Sequence, residues 1–215
     1  METLIDSVMV VILLSNLLLL GSSRLAACIR IVATQGIILG ILPLLSSEGE
    51  ITIRVVLLAA WSIALKGMVF PWLLNRAIRD ASVRREVEPF VGYTTSLLLG
   101  SAALAVSLWA GLRLPLPPAA VHSSLTVPVA LFTIMTGLFV ICSRRKALNQ
   151  VLGYLALENG IYIFGVAFVQ KAPLLVELGI LLDVFVAVFV MGIMIFHINR
   201  EFDHIDTDQL STLKE

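Results

Sequence analysis

The chain has 215 residues, of which 59% are hydrophobic and 14% charged, and its formal net charge is zero. A soluble domain carries about a quarter charged residues, so this is an integral membrane protein, and its charge balance leaves no case for nucleic acid as a partner. The apolar runs are about 20 residues long, whereas barrel strands are alternating runs of about 10. The expected class is therefore all-α: a polytopic membrane protein with about seven transmembrane helices.

The first predicted span, 4–20, is preceded by acidic Glu2 and followed by Arg24 without a small-x-small cleavage site. That pattern reads as a retained helix and not as a signal peptide. The second span, 25–45, carries Arg30, expected to reach for the membrane surface, and Gln35, a polar bonding group whose partner the sequence does not name. The third, 51–74, carries Lys66 beside Gly67 and Pro71. The fourth, fifth, sixth and seventh are predicted at 90–111, 125–142, 147–170 and 174–198.

Lys and Arg distribute unevenly over the connections. The loop 75–89 holds Arg76, Arg79, Arg84 and Arg85, the turn after the fifth span holds Arg144, Arg145 and Lys146, and the tail holds Arg200 and Lys214. The opposite connections hold Arg113 and Lys171. Cationic loops stay in the cytoplasm, so the N-terminus is expected outside and the C-terminus inside, with the basic turn Arg144-Arg145-Lys146 on the cytoplasmic face. Pro115, Pro117 and Pro118 stiffen the outer loop 112–124, which divides a four-helix region, 1–111, from a three-helix unit, 125–198. The polar tail, 199–215, is read either as a disordered end or as a docking segment that uses Leu210 and Leu213. A short echo, Gln35-Gly36-Ile37 against Asn159-Gly160-Ile161, is as well explained by chance as by duplication.

Ionisable groups deep in a membrane are costly, and function is their default reading. Glu158 falls near the middle of the sixth predicted span. Burial there penalises the ionised form, which suits a proton carrier. Tyr154 and Asn159 are near enough on the same helix to hydrogen-bond it. Asp183 falls at a similar depth in the seventh span, and two close carboxylates disfavour simultaneous ionisation, so that one proton is shared or passed through water. Each carboxyl also has a plainer reading, as a hydrogen bond that ties two helices. Glu177 lies nearer the outer surface and reads as an entrance group or an interfacial charge. Lys66, beside a proline that frees a helical carbonyl, reads either as a proton-path group or as a lysine whose stem runs to the cytoplasmic surface. Cys28 and Cys142 fit no disulfide or metal spacing, and His122, His197 and His204 form no ligand pattern. No phosphate loop, nucleophile elbow or haem motif occurs, so no catalytic residue and no cofactor are assigned to this chain.

Arg144-Arg145-Lys146, Gly153 and Glu158-Asn159-Gly160 together resemble the K subunit of complex I and the C subunit of multisubunit cation/proton antiporters. Those are three-span proteins with a basic cytoplasmic turn and a buried glutamate in each of the next two helices. Over nearly its whole length the chain more closely resembles component E of hydrogenase-4. That resemblance rests on Gly153–Gly160, on Val176-Glu177-Leu178-Gly179-Ile180, on the ending Asp208-Gln209-Leu210-Ser211-Thr212-Leu213-Lys214, and on Lys66 with Pro71. Two departures stand out. The first K-subunit glutamate would fall on Leu155, about one turn from Glu158, and Asp183 stands where the second would be.

The resemblance implies a membrane subunit of a hydrogenase-4-like assembly in a prokaryotic cytoplasmic membrane. Implied partners are antiporter-like and quinone-site-like membrane subunits and a peripheral arm with nickel-iron and iron-sulfur centres. The chain would add Glu158, Asp183, Lys66, Glu177, Asn159 and Tyr154 to a proton or cation path. Two other readings are a subunit of a cation/proton antiporter without a redox arm, and a helical adaptor whose deep charges only lock helices together.

Overall fold

A computed structural model describes residues 2–45, 53–80, 90–114, 123–144, 147–168 and 192. Among them it is helical, with no strand. The helices are α1 (Glu2–Gly21), α2 (Leu25–Leu45), α3 (Ile53–Ala64), α4 (Phe70–Asp80), α5 (Tyr93–Arg113), α6 (Thr126–Ser143) and α7 (Ala147–Phe168), with a π-helical turn, Leu65–Val69, joining α3 to α4. Four of them, α1, α2, α5 and α6, are long and apolar enough to cross a membrane. The seventh predicted span lies outside the described residues save for Gly192, and the tail lies outside them entirely.

The third predicted span differs from expectation in two ways. First, it is broken at its middle. The Phe70 N–H bonds back to the Leu65 carbonyl, five residues away, and the next residue, Pro71, has no N–H to offer. A π turn is the local result of that mismatch. Second, helix continues past Leu74 to Asp80, so the start of the expected charged loop is helical. No proline or glycine interrupts that stretch, Asn75 Nδ2 bonds the Pro71 carbonyl, and Ala77 is buried.

With α3, the π turn and α4 taken as one continuous span, the described helices alternate in direction. Ser123 Oγ donates to Asp6 at the starts of α6 and α1, and Arg144 Nη2 bonds the Leu20 carbonyl (3.0 Å) at their ends, so α1 and α6 run parallel. The Phe90 N–H meets the Ser143 carbonyl (2.8 Å), so α5 begins where α6 ends. Along α2 and α3, Gly40 faces Ile63 and Gly36 faces Lys66, an antiparallel pair. Arg24, Arg76, Arg79 and Arg144 thereby gather at one end of the bundle, and Arg113 lies at the other.

Association of apolar helices in lipid gains little from the hydrophobic effect, so close packing must hold them. Small residues supply it. A Cβ on Gly153 would come within 2.8 Å of the Gly137 carbonyl oxygen and of the Ile141 nitrogen, so α6 and α7 touch backbone to backbone. Two apolar clusters fill the bundle. One, at the arginine end, joins Leu20, Val32, Phe70, Leu152 and Leu155. The other, at the opposite end, joins Met9, Ile12, Leu39, Val129 and Ile163. A buried polar layer separates them.

Candidate functional site

The π turn places Lys66 inside the bundle. Its side chain is 6% exposed, and Nζ lies 2.7 Å from Glu158 Oε1 and 3.2 Å from Asn159 Oδ1. The ring of Tyr162, one turn beyond Glu158 on α7, has its centroid 5.3 Å from Nζ. Glu158 is 2% exposed and Asn159 1%. Lys66 thus ends on α7 and not at a surface, which removes the expectation that its stem runs out to the cytoplasmic side. Its position depends on Gly36, where a Cβ would stand 2.5 Å from Lys66 Cβ.

A bond of 2.7 Å between a buried amine and a buried acid is in the charge-assisted range. Taking both charges out of water is expensive, and good geometry with further hydrogen bonds must offset it. Asn159 and the face of Tyr162 supply part of that compensation. The arrangement holds a proton between two groups of opposite charge type, and it also locks α7 to the π turn. Beside it, a crevice between α2, α4 and α7 is lined by Val32, Pro71, Leu74, Leu155, Lys66 and Asn159 among others. Its free space of about 10 Å³ is that of roughly one water molecule.

The second half of the polar layer lies on α1, α2 and α6. Gln35 Nε2 donates to Ser15 Oγ (2.7 Å) and to Asn16 Oδ1 (2.9 Å), and Asn16 Nδ2 donates to Thr133 Oγ1 (2.8 Å). Asn16, Gln35 and Thr133 are fully buried. Gln35 therefore has its partners, in two side chains of the first span that sequence reading had passed over. A lone amide at Asn16 in an otherwise apolar helix was the available signal.

Other expected site residues distribute as follows. Asn159 is at the site but bonds Lys66. Tyr154 packs at the edge of the arginine-end cluster, and Tyr162 takes the place at the ion pair. Spacing alone carried that signal, since Tyr162 and Glu158 share a helix face. Asp183 and Glu177 lie outside the described residues, as do Arg145 and Lys146. Arg144 is 2% exposed, caps the Leu20 carbonyl and stacks over Tyr93 at 5.2 Å from the ring centroid. It closes the C-terminal end of α1, where orphan carbonyls favour a cation. Burial, opposed by the neighbouring Tyr93 and Cys28, pushes its guanidinium below the usual arginine range. Arg30 is exposed. Among the described residues no three His, Cys, Asp or Glu side chains come together as a metal site.

Comparison with known proteins bears on this geometry. The family profile for NADH-ubiquinone/plastoquinone oxidoreductase chain 4L matches residues 124–215, the part of the chain that contains Glu158. Hydrogenase-4 component E of Escherichia coli is 33% identical over 150 residues, covering 69% of this chain and 68% of the relative. The chain belongs to the hydrogenase-4 component E family. The component E protein of Shigella flexneri matches to the same extent. An uncharacterised protein of Mycobacterium tuberculosis is 33% identical over 208 residues, covering 95% of this chain and 93% of its own length. No solved structure matches. As a component E family member with apolar helices and a chain 4L-type region, the protein is a membrane subunit of the complex I-related class.

Proposed function

We propose that this chain serves a hydrogenase-4-like assembly as a membrane subunit through which protons, or a cation, move in step with redox chemistry elsewhere in the complex. The observation that carries the proposal is the buried Lys66–Glu158 contact of 2.7 Å, formed between a π turn and the middle of α7. π turns inside helices occur frequently at functional sites. Lys66 and Glu158 exchange or hold the proton, and Asn159 and Tyr162 position the amine. The path continues to Asp183, with Glu177 as its outer entrance, in a seventh span that brings the C-terminus to the cytoplasmic side of a prokaryotic inner membrane and leaves the N-terminus outside. Redox cofactors reside in a peripheral arm with nickel-iron and iron-sulfur centres, and antiporter-like and quinone-site-like subunits flank this chain in the membrane.

The test is to purify the native assembly through a tag on this chain, reconstitute it in vesicles and follow proton uptake during hydrogen turnover. Co-purification of hydrogenase-like subunits with turnover-driven uptake is the expected outcome. Recovery with antiporter-type subunits alone, and ion exchange that needs no redox turnover, would assign the chain to a cation/proton antiporter instead.

A further inference from the structure

Three buried atoms of the polar layer have no hydrogen-bond partner among the described residues, and their polarities are fixed from both sides. On one side, the Thr133 hydroxyl donates to the Val129 carbonyl (2.7 Å) and so accepts from Asn16. Asn16 then presents Oδ1 to Gln35, whose Nε2 uses both of its hydrogens on Asn16 and Ser15. Ser15 in turn donates to the Ile12 carbonyl (2.6 Å). The Gln35 carbonyl oxygen is thereby left over as an acceptor. On the other side, Lys66 can only donate, so Asn159 turns Oδ1 towards it and is left with Nδ2 as a donor. Glu158 bonds Lys66 through Oε1 and is left with Oε2. Gln35 Oε1, Asn159 Nδ2 and Glu158 Oε2 are all buried and have no hydrogen-bond partner among the described residues.

These atoms lie at one level of the bundle. Gly36, next to Gln35, faces Lys66, which holds Asn159 and Glu158. Gly160, next to Asn159, packs on the backbone of α6 at Ile134, next to Thr133. Buried polar groups are nearly always satisfied, by protein or by ordered water. The unpartnered set is two acceptors and one donor, which is the complement of one water molecule: two hydrogens to give and a lone pair to accept with.

We infer that a water molecule is bound between Gln35, Asn159 and Glu158, and that it is the proton donor and acceptor for Glu158 on the carboxyl oxygen facing away from Lys66. In each direction the step is balanced. A proton delivered along the path makes the water hydronium, one of whose O–H bonds breaks as the proton bonds Oε2 and water remains; in the reverse step the Oε2–H bond breaks and the water takes the proton as hydronium. Gln35 is a positioning residue, tied in turn by Ser15, Asn16 and Thr133. The site stands on hydrogen-bond polarity alone, and its service to proton transfer rests on the proposed function.

The test is an electron cryomicroscopy map of the purified assembly at a resolution that resolves ordered waters, together with vesicle proton uptake by Gln35→Leu. A water within hydrogen-bond distance of all three atoms is expected in the wild type. A map in which Gln35 Oε1 bonds Asn159 Nδ2 directly, or in which the space is dry, overturns the site, and the wild-type map decides this whether or not the variant assembles. Gln35→Leu is expected to lower proton uptake per hydrogen turned over about tenfold, which is what loss of one hydrogen bond from a transfer step is worth. Full uptake by Gln35→Leu overturns the positioning role. A water present in the map while Glu158 itself proves dispensable for uptake leaves the site standing and ends the proton-path reading.

Discussion

Removal of one member of the Lys66–Glu158 pair should be far worse than removal of both. Glu158→Gln keeps an acceptor oxygen in reach of Nζ but removes the carboxylate that contacts the buried ammonium at 2.7 Å. Breaking a buried ion pair from one side costs about 3–5 kcal/mol. Lys66→Met leaves a carboxyl group that can neutralise itself by taking up a proton, so its cost is the lost hydrogen bonds to Glu158 and Asn159, about 1–3 kcal/mol. The double variant removes both charges at nearly constant volume, and a neutral replacement of a buried pair is often close to neutral in stability. The expected order of stability is wild type or the double variant first, then Lys66→Met, then Glu158→Gln, with a favourable coupling of about 4–8 kcal/mol, the sum of the two single losses, between the two positions. For a chain of this size that corresponds to roughly 8–32 °C between the double variant's midpoint of thermal dissociation and the one that adding the single losses would give. The assay is the dissociation midpoint of the detergent-purified assembly for all four forms. A double variant whose loss equals the sum of the single losses would refute the pairing of Lys66 with Glu158.

Gly36→Ala should push Lys66 away from Glu158, because its Cβ would stand 2.5 Å from Lys66 Cβ. A loss of about 1–3 kcal/mol from overpacking, with reduced coupled uptake, is expected in the same two assays. Gly153→Val should separate α6 from α7 at their backbone contact and deplete the assembled complex from membranes, as seen on native gels. Arg144→Ala should cost about 1.5–3 kcal/mol, the worth of a hydrogen bond from a charged donor, and lower the dissociation midpoint without changing proton uptake per turnover. A reporter fused after Glu215 should behave as cytoplasmic, and an external signal would reverse the proposed orientation.

Sequence reading went furthest where a single segment carries the information. Long apolar runs with short polar breaks were enough to place α1, α2, α5, α6 and α7, since each helix satisfies its own backbone hydrogen bonds in lipid. Lys66 and Glu158 stood out individually because each is a charge in an apolar run. Their pairing was not legible, because the two are 92 residues apart and helical phase within one segment says nothing about which neighbour it will face. The π turn was half legible: Pro71 announced a disturbance, but its form depends on how Gly36 and Gly67 let α2 approach. Arg144 was read as one of three surface cations, yet it closes the end of α1, a role that only the parallel packing of α1 and α6 creates. Asn16 and Thr133 escaped notice because a single amide or hydroxyl in a membrane helix is common, and their value lies in the orientation they impose on Gln35.

The central claim is that the buried pair carries protons and is more than a lock between helices. Its most direct test is proton uptake per hydrogen turned over in vesicles that hold the intact assembly with both Lys66→Met and Glu158→Gln, the form expected to keep its stability. A proton path through the pair predicts normal assembly and hydrogen turnover with uptake reduced to about a hundredth, the scale on which positioned proton-transfer groups act. Wild-type uptake by this neutral variant would contradict the path and leave Lys66 and Glu158 as a structural tie.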